Sequence, residues 1–147
     1  MTRIPAVLPE PATGKSKTLL DAVQKKLGRV PNLMRTLANA PAALEGYLNL
    51  SGALATGQLD AKVREQIALT VAEANLCDYC LSAHTAIGGM VGLSADEIGR
   101  ARQASSSNPK AHAILKLARS IVVNRGEVAD AALAAARAAG ITDGEIL

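Results

Sequence analysis

Phenylalanine and tryptophan are absent from the 147 residues, and two tyrosines are the only aromatics. A core built without them must be filled by Ala, Leu, Val and Ile. Such side chains let helices approach closely but bury little area each. The chain therefore calls for further apolar surface, from a partner subunit or from a missing piece. No apolar run approaches the roughly 20 residues needed to cross a bilayer, so no membrane partner is expected. Residues 1–17 lack the apolar stretch of a signal peptide, and the expected compartment is cytoplasmic. Two cysteines are too few for a disulfide-stapled scaffold. In the cytosol a close pair is more often catalytic or metal-binding than structural. The formal charge of +3 is spread along the chain with no basic run interleaved with aromatics, and no nucleic-acid partner is expected.

What is present is a 49% hydrophobic, 20% charged chain, enough for a real core. Residues 1–17 hold three of the six prolines and no periodicity, and read as an extended arm. Residues 18–147 read as one helical domain. Leu19 to Leu27 is amphipathic and closed by Gly28. Pro31 and Pro41 each open a helix. In the second of these, Leu44, Leu48 and Ala55 share a face and Tyr47 is expected in the core. Asp60 caps a helix running to about Leu76. Ser94 and Glu97 form a capping box. Asn108-Pro109 starts a helix that ends at Gly126, and Val128 to Ala139 is an Ala-rich helix closed by Gly140. No alternating run bounded by turn signals marks a strand. The expected fold class is all-α, a single helical domain that oligomerises as a helical bundle. Thr142 and Glu145 read as a further capping box with almost no helix behind it, so the C-terminal helix is expected to be truncated.

The chemistry gathers at Cys77, Cys80 and His84, spaced C-x-x-C-x-x-x-H. Offsets of three and four place neighbours on one helix face. Cys77 at a helix start can pair with Cys80, and His84, one turn on, can take the Cys80 proton or stabilise its thiolate, the nucleophilic form. Glu65 belongs to a helix apolar on two sides, where a carboxylate is costly unless partnered. Lys62, Gln66 and Glu73 read as that helix's solvated strip. Along one straight helix Glu65 and Cys77 would stand about 18 Å apart. A break near Asn75-Leu76, or a contact between subunits, is needed to bring the groups together. With a hairpin there, Glu65 faces His84 and Cys80, giving a relay in which Glu65 holds His84 and His84 activates Cys80. The helix dipole favours a thiolate at Cys77 by about 1 kcal/mol; the adjacent base favours Cys80. The balance makes Cys80 the attacking thiol and Cys77 the resolving one.

Glu65, then eleven residues, then Cys77-Asp78-Tyr79-Cys80 and His84 resembles the signature of the alkyl hydroperoxidase D (AhpD)-like family, within the carboxymuconolactone decarboxylase superfamily. The stretches His84–Ser94 and Leu27–Leu54 are similar to its peroxidase-related branch. The resemblance covers Leu19 to the C-terminus. It implies an all-α oligomer, a trimer or hexamer, and thiol-dependent reduction of hydroperoxides, with Cys80 attacked by peroxide, Cys77 resolving, and Glu65 and His84 as proton relay. It also implies an external dithiol reductant of lipoyl type, and no metal or organic cofactor. Tyr79 stands where the best-studied members carry His, and joins the candidate site residues. That departure bears on rate and on the preferred electron donor.

Other readings remain beside it. Cys77, Cys80, His84 and Glu65 make a plausible zinc set, and the cysteines alone could be core thiols. Haem attachment needs His directly after the second Cys, where Leu81 stands, and a thioredoxin-like site needs a βαβ context. A decarboxylase of the wider superfamily and a non-enzymatic redox-switch oligomer are the alternative functions. His112 is assigned no role, and Gly88-Gly89 is expected to weaken or end the cysteine-bearing helix.

Overall fold

The structure, a computed structural model, describes residues 3–147. Nine α-helices and no strand are found among them, as the sequence pattern requires. Contacts divide the chain into two compact units that meet in sequence at Thr56-Gly57.

The first unit holds α1 (Gly14–Leu27), α2 (Asn32–Leu37) and α3 (Pro41–Leu54). Its core is Leu20, Val23, Met34, Ala38 and Leu44. The extended segment is shorter than expected, because α1 begins at Gly14 rather than Leu19. Lys17 and Asp21, one turn apart, form an ion pair that supports this added turn. The remaining arm is anchored rather than loose: the Val7 N–H donates to the Arg35 carbonyl at 3.0 Å, and Asn39 donates to the Pro5 carbonyl at 2.8 Å. Tyr47 is not core. It is exposed with Leu50 and Leu54 along α3, while Leu44 faces the other helices of the unit.

The second unit is built around α4 (Ala61–Ala74), which packs against α5 (Asp78–Met90), α6 (Ala95–Arg102) and α7 (Pro109–Val123). Next come α8 (Asp130–Ala138), packed on α7, and the short α9 (Asp143–Ile146). Having three neighbours explains why α4 is apolar on more than one side. Leu69 and Leu115 are fully buried, worth roughly 2 kcal/mol each by area. Buried Thr70 donates its hydroxyl to the Ala101 carbonyl at 2.6 Å, tying α4 to the end of α6. The expected caps form: Asp60 accepts from the Val63 N–H at 2.8 Å, and Ser94–Glu97 and Thr142–Glu145 are both complete capping boxes. The glycine pair does not end α5, which continues to Met90. A Cβ at Gly88 would lie 3.2 Å from Leu93 Cδ1, so the missing side chain is what lets Leu93 fold back onto the helix. His112 accepts from the Ser106 N–H at 3.4 Å, a long bond that steadies the loop before α7.

Candidate active site

A reversal between α4 and α5 builds the site. The Leu76 N–H bonds to the Glu73 carbonyl at 3.1 Å and the Cys77 N–H to the Ala72 carbonyl at 3.0 Å. This is the paired-bond ending in which the penultimate residue turns left-handed, and Leu76 has φ +53°. Cys77 is thus the last anchored residue of one helix and the N-cap of the next. Its Sγ accepts from the Cys80 N–H at 3.2 Å. The expected break at Asn75-Leu76 is present, and α4 stops two residues before the expected end at Leu76.

Cys77 and Cys80 are joined as a disulfide, their Cα atoms 5.3 Å apart. Both are half-buried, beside exposed Leu76, Asp78 and Tyr79. On the preceding helix of the hairpin, Glu65 projects from α4 toward α5, and its Oε2 accepts from His84 Nδ1 at 2.7 Å. The Glu65 side chain is 17% exposed and that of His84 32%. An ionised carboxylate only accepts, so a neutral His84 ring that donates Nδ1–H to Glu65 carries its free lone pair on Nε2. His84 stands one helical turn beyond Cys80. The arrangement can hold a ring in one tautomer beside a pair of sulfurs that can be oxidised or reduced.

The fold therefore brings Glu65 to His84, and Cys77 to Cys80, within one helical hairpin. Among the described residues no group of three or more His, Cys, Asp or Glu side chains is arranged to hold a metal ion. Gln66 departs from the expected solvated strip: it is 5% exposed. Its polarity suggested solvent, and the packing of α6 and α7 on α4 removes it.

The sequence pattern of the carboxymuconolactone decarboxylase family matches residues 41–120. No curated protein matches the chain in sequence. Among solved structures, an uncharacterized peroxidase-related protein from Silicibacter sp. TM1040 is 24% identical with a TM-score of 0.83, over 99% of this chain and 82% of that one; at that identity it speaks for the fold alone. The alkylhydroperoxidase AhpD core of an uncharacterized peroxidase-related protein from Ralstonia eutropha JMP134 is 30% identical with a TM-score of 0.82, over 98% of this chain and 78% of that one. Together with the all-helical fold, these matches establish that the chain is an AhpD-like member of the carboxymuconolactone decarboxylase family.

Proposed function

We propose that this protein is an enzyme, a thiol-dependent peroxidase or disulfide oxidoreductase acting on hydroperoxides through Cys80 and Cys77. The supporting observation is the 2.7 Å contact of Glu65 with His84, one turn from Cys80 in the hairpin that carries the cysteine pair. In the reduced protein, His84 Nε2 takes the Cys80 proton. The thiolate sulfur attacks one peroxide oxygen, the O–O bond breaks, and the leaving alkoxide recovers a proton from the imidazolium as the alcohol. Cys80 is then a sulfenic acid. Cys77 sulfur displaces its oxygen as water and forms the disulfide. An external dithiol exchanges with that disulfide, becomes a disulfide itself, and returns both cysteines to thiols. In this scheme Cys80 and Cys77 are catalytic, His84 moves the proton and Glu65 orients His84. Exposed Tyr79 flanks the sulfurs, at the edge an incoming substrate or reductant would meet. Among the described residues no helix is long and apolar enough to cross a membrane. We place the protein in the cytoplasm, as a trimer or hexamer served by a lipoyl-type dithiol.

The test is dithiol-dependent consumption of hydroperoxide by the wild type and Cys80→Ser. Turnover by the wild type and none by Cys80→Ser is expected. A wild type that consumes no hydroperoxide but changes its assembly on oxidation would be a redox switch. Release of carbon dioxide from a small lactone acid would make it a decarboxylase.

A further inference from the structure

A groove of about 360 Å³ lies in the second unit, bordered by the N-terminal ends of α4, α6 and α7 and by α9. That volume falls in the range of small-molecule sites. Its apolar wall includes Leu59, Val63, Leu93 and Ile114. Gln66 lines it as well, although 95% of that residue is buried by relative area. The Gln66 amide makes no hydrogen bond among the described residues. Among the described residues no buried side-chain polar atom is sealed off without a partner, so the amide keeps its outlet into the groove. A buried amide without a protein partner costs stability. A bound group that could both accept from it and donate to it would offset that cost.

The charges around the groove select the kind of ligand. Its three carboxylates are already engaged in holding helix starts: Asp60 accepts from the Val63 N–H, Glu97 from the Ser94 N–H and Glu145 from the Thr142 N–H, at 2.8, 2.8 and 2.9 Å. Lys110 is paired with Glu145 at 2.8 Å. Carboxylates outnumber the two lysines, which opposes an anion, and Lys62 at the rim opposes a cation. We propose that this groove binds a small uncharged ligand bearing a carboxamide, or an equivalent donor–acceptor pair, on a short aliphatic body, with Gln66 as its anchor. The site uses neither cysteine and does not depend on the peroxidase reading.

Three four-carbon probes of equal length and different charge test it: butyramide, butyrate and butylamine, each titrated into the full chain and followed by amide NMR. A probe of this size is expected to bind on the order of millimolar. Butyramide should shift the Gln66 side-chain NH₂ and the backbone amides of Ser107 and Ala111, and should do so equally in Cys80→Ser. Butyrate and butylamine should bind at least roughly tenfold more weakly. Gln66→Leu, and Gln66→Met as a second variant of similar size, should weaken butyramide at least roughly tenfold while leaving the melting temperature unchanged or raised. A merely structural glutamine would lower it. Absence of butyramide shifts, equal binding by both variants, tighter binding of either charged probe, or a lowered melting temperature in both variants would overturn the proposal.

Discussion

Glu65 and Gln66 are neighbours on α4 with opposite fates. The carboxylate meets His84 across the hairpin, and the amide meets an open groove. The first outcome was legible because a carboxylate on a doubly apolar helix must find a partner, and the spacing to His84 fits a reversal at Leu76. The second was not. Position 66 lies on the helical strip of Lys62 and Glu73, and only the number of helices packed around α4 decides that it is covered. Tyr47 shows the same blindness in reverse: α3 is apolar nearly all round, and sequence alone does not say which side its neighbours occupy. At this scale His84→Asn is expected to lower the rate of Cys80 oxidation by about 100-fold, the usual worth of a positioned base. Glu65→Gln should cost less, because an amide oxygen can still accept from Nδ1. Stopped-flow peroxide oxidation of the reduced variants measures both.

The helix starts and stops of the second unit were largely written in short motifs. Asp60, Ser94, Asn108 and Thr142 cap where their types predict. The stops were less legible, because the left-handed closing position is glycine at 92 and 140 but Leu76, Ala104 and Arg125 elsewhere. Gly126 therefore misplaced the end of α7 by marking the residue after the turn. Leu76 is 85% exposed, so it pays for its left-handed backbone with almost no burial. Leu76→Gly is expected to stabilise the fold by roughly 0.5–1 kcal/mol in urea unfolding, the difference between the two residues' backbone costs. Asp60→Ala, by contrast, should destabilise by about 1 kcal/mol.

Two capping carboxylates carry a pH signature. The Ser94 backbone N–H holds the Glu97 carboxyl below the usual glutamate value. Lys110, with the Thr142 backbone N–H, does the same for Glu145. A depressed folded value means that the unfolded chain takes up the proton first. The contribution is therefore complete above the unfolded value of about 4.3 and is lost as pH falls through the lower folded value. Thermal melts between about pH 6 and 3 should show a decline that is shallower in the double variant Glu97→Gln, Glu145→Gln than in the wild type.

For the whole molecule, the missing Phe and Trp have a structural counterpart. Among the described residues the fully buried side chains larger than alanine are Leu20, Leu44, Leu69, Leu115 and Thr70; the first unit has one modest buried cluster and the second unit two. The all-α class was legible all the same, because helical periodicity and caps need no bulky side chains. Subunit number was not legible, because it depends on which exposed surfaces fit one another. The proposed assembly is expected to give, by light scattering, three or six times the 15.1 kDa chain mass; a monomer would contradict it.

Titration of the reduced protein's free thiols against hydroperoxide tests the redox reading most directly, with mass spectrometry to locate the oxygen. The wild type should lose two thiols per peroxide and regain them with a dithiol. Cys77→Ser should hold a sulfenic acid on Cys80, and Cys80→Ser should leave Cys77 nearly unreactive. If the wild type keeps both thiols under peroxide, or Cys77 oxidises as fast without Cys80 as the pair does with it, Cys80 is not the attacking sulfur and the hairpin serves another purpose.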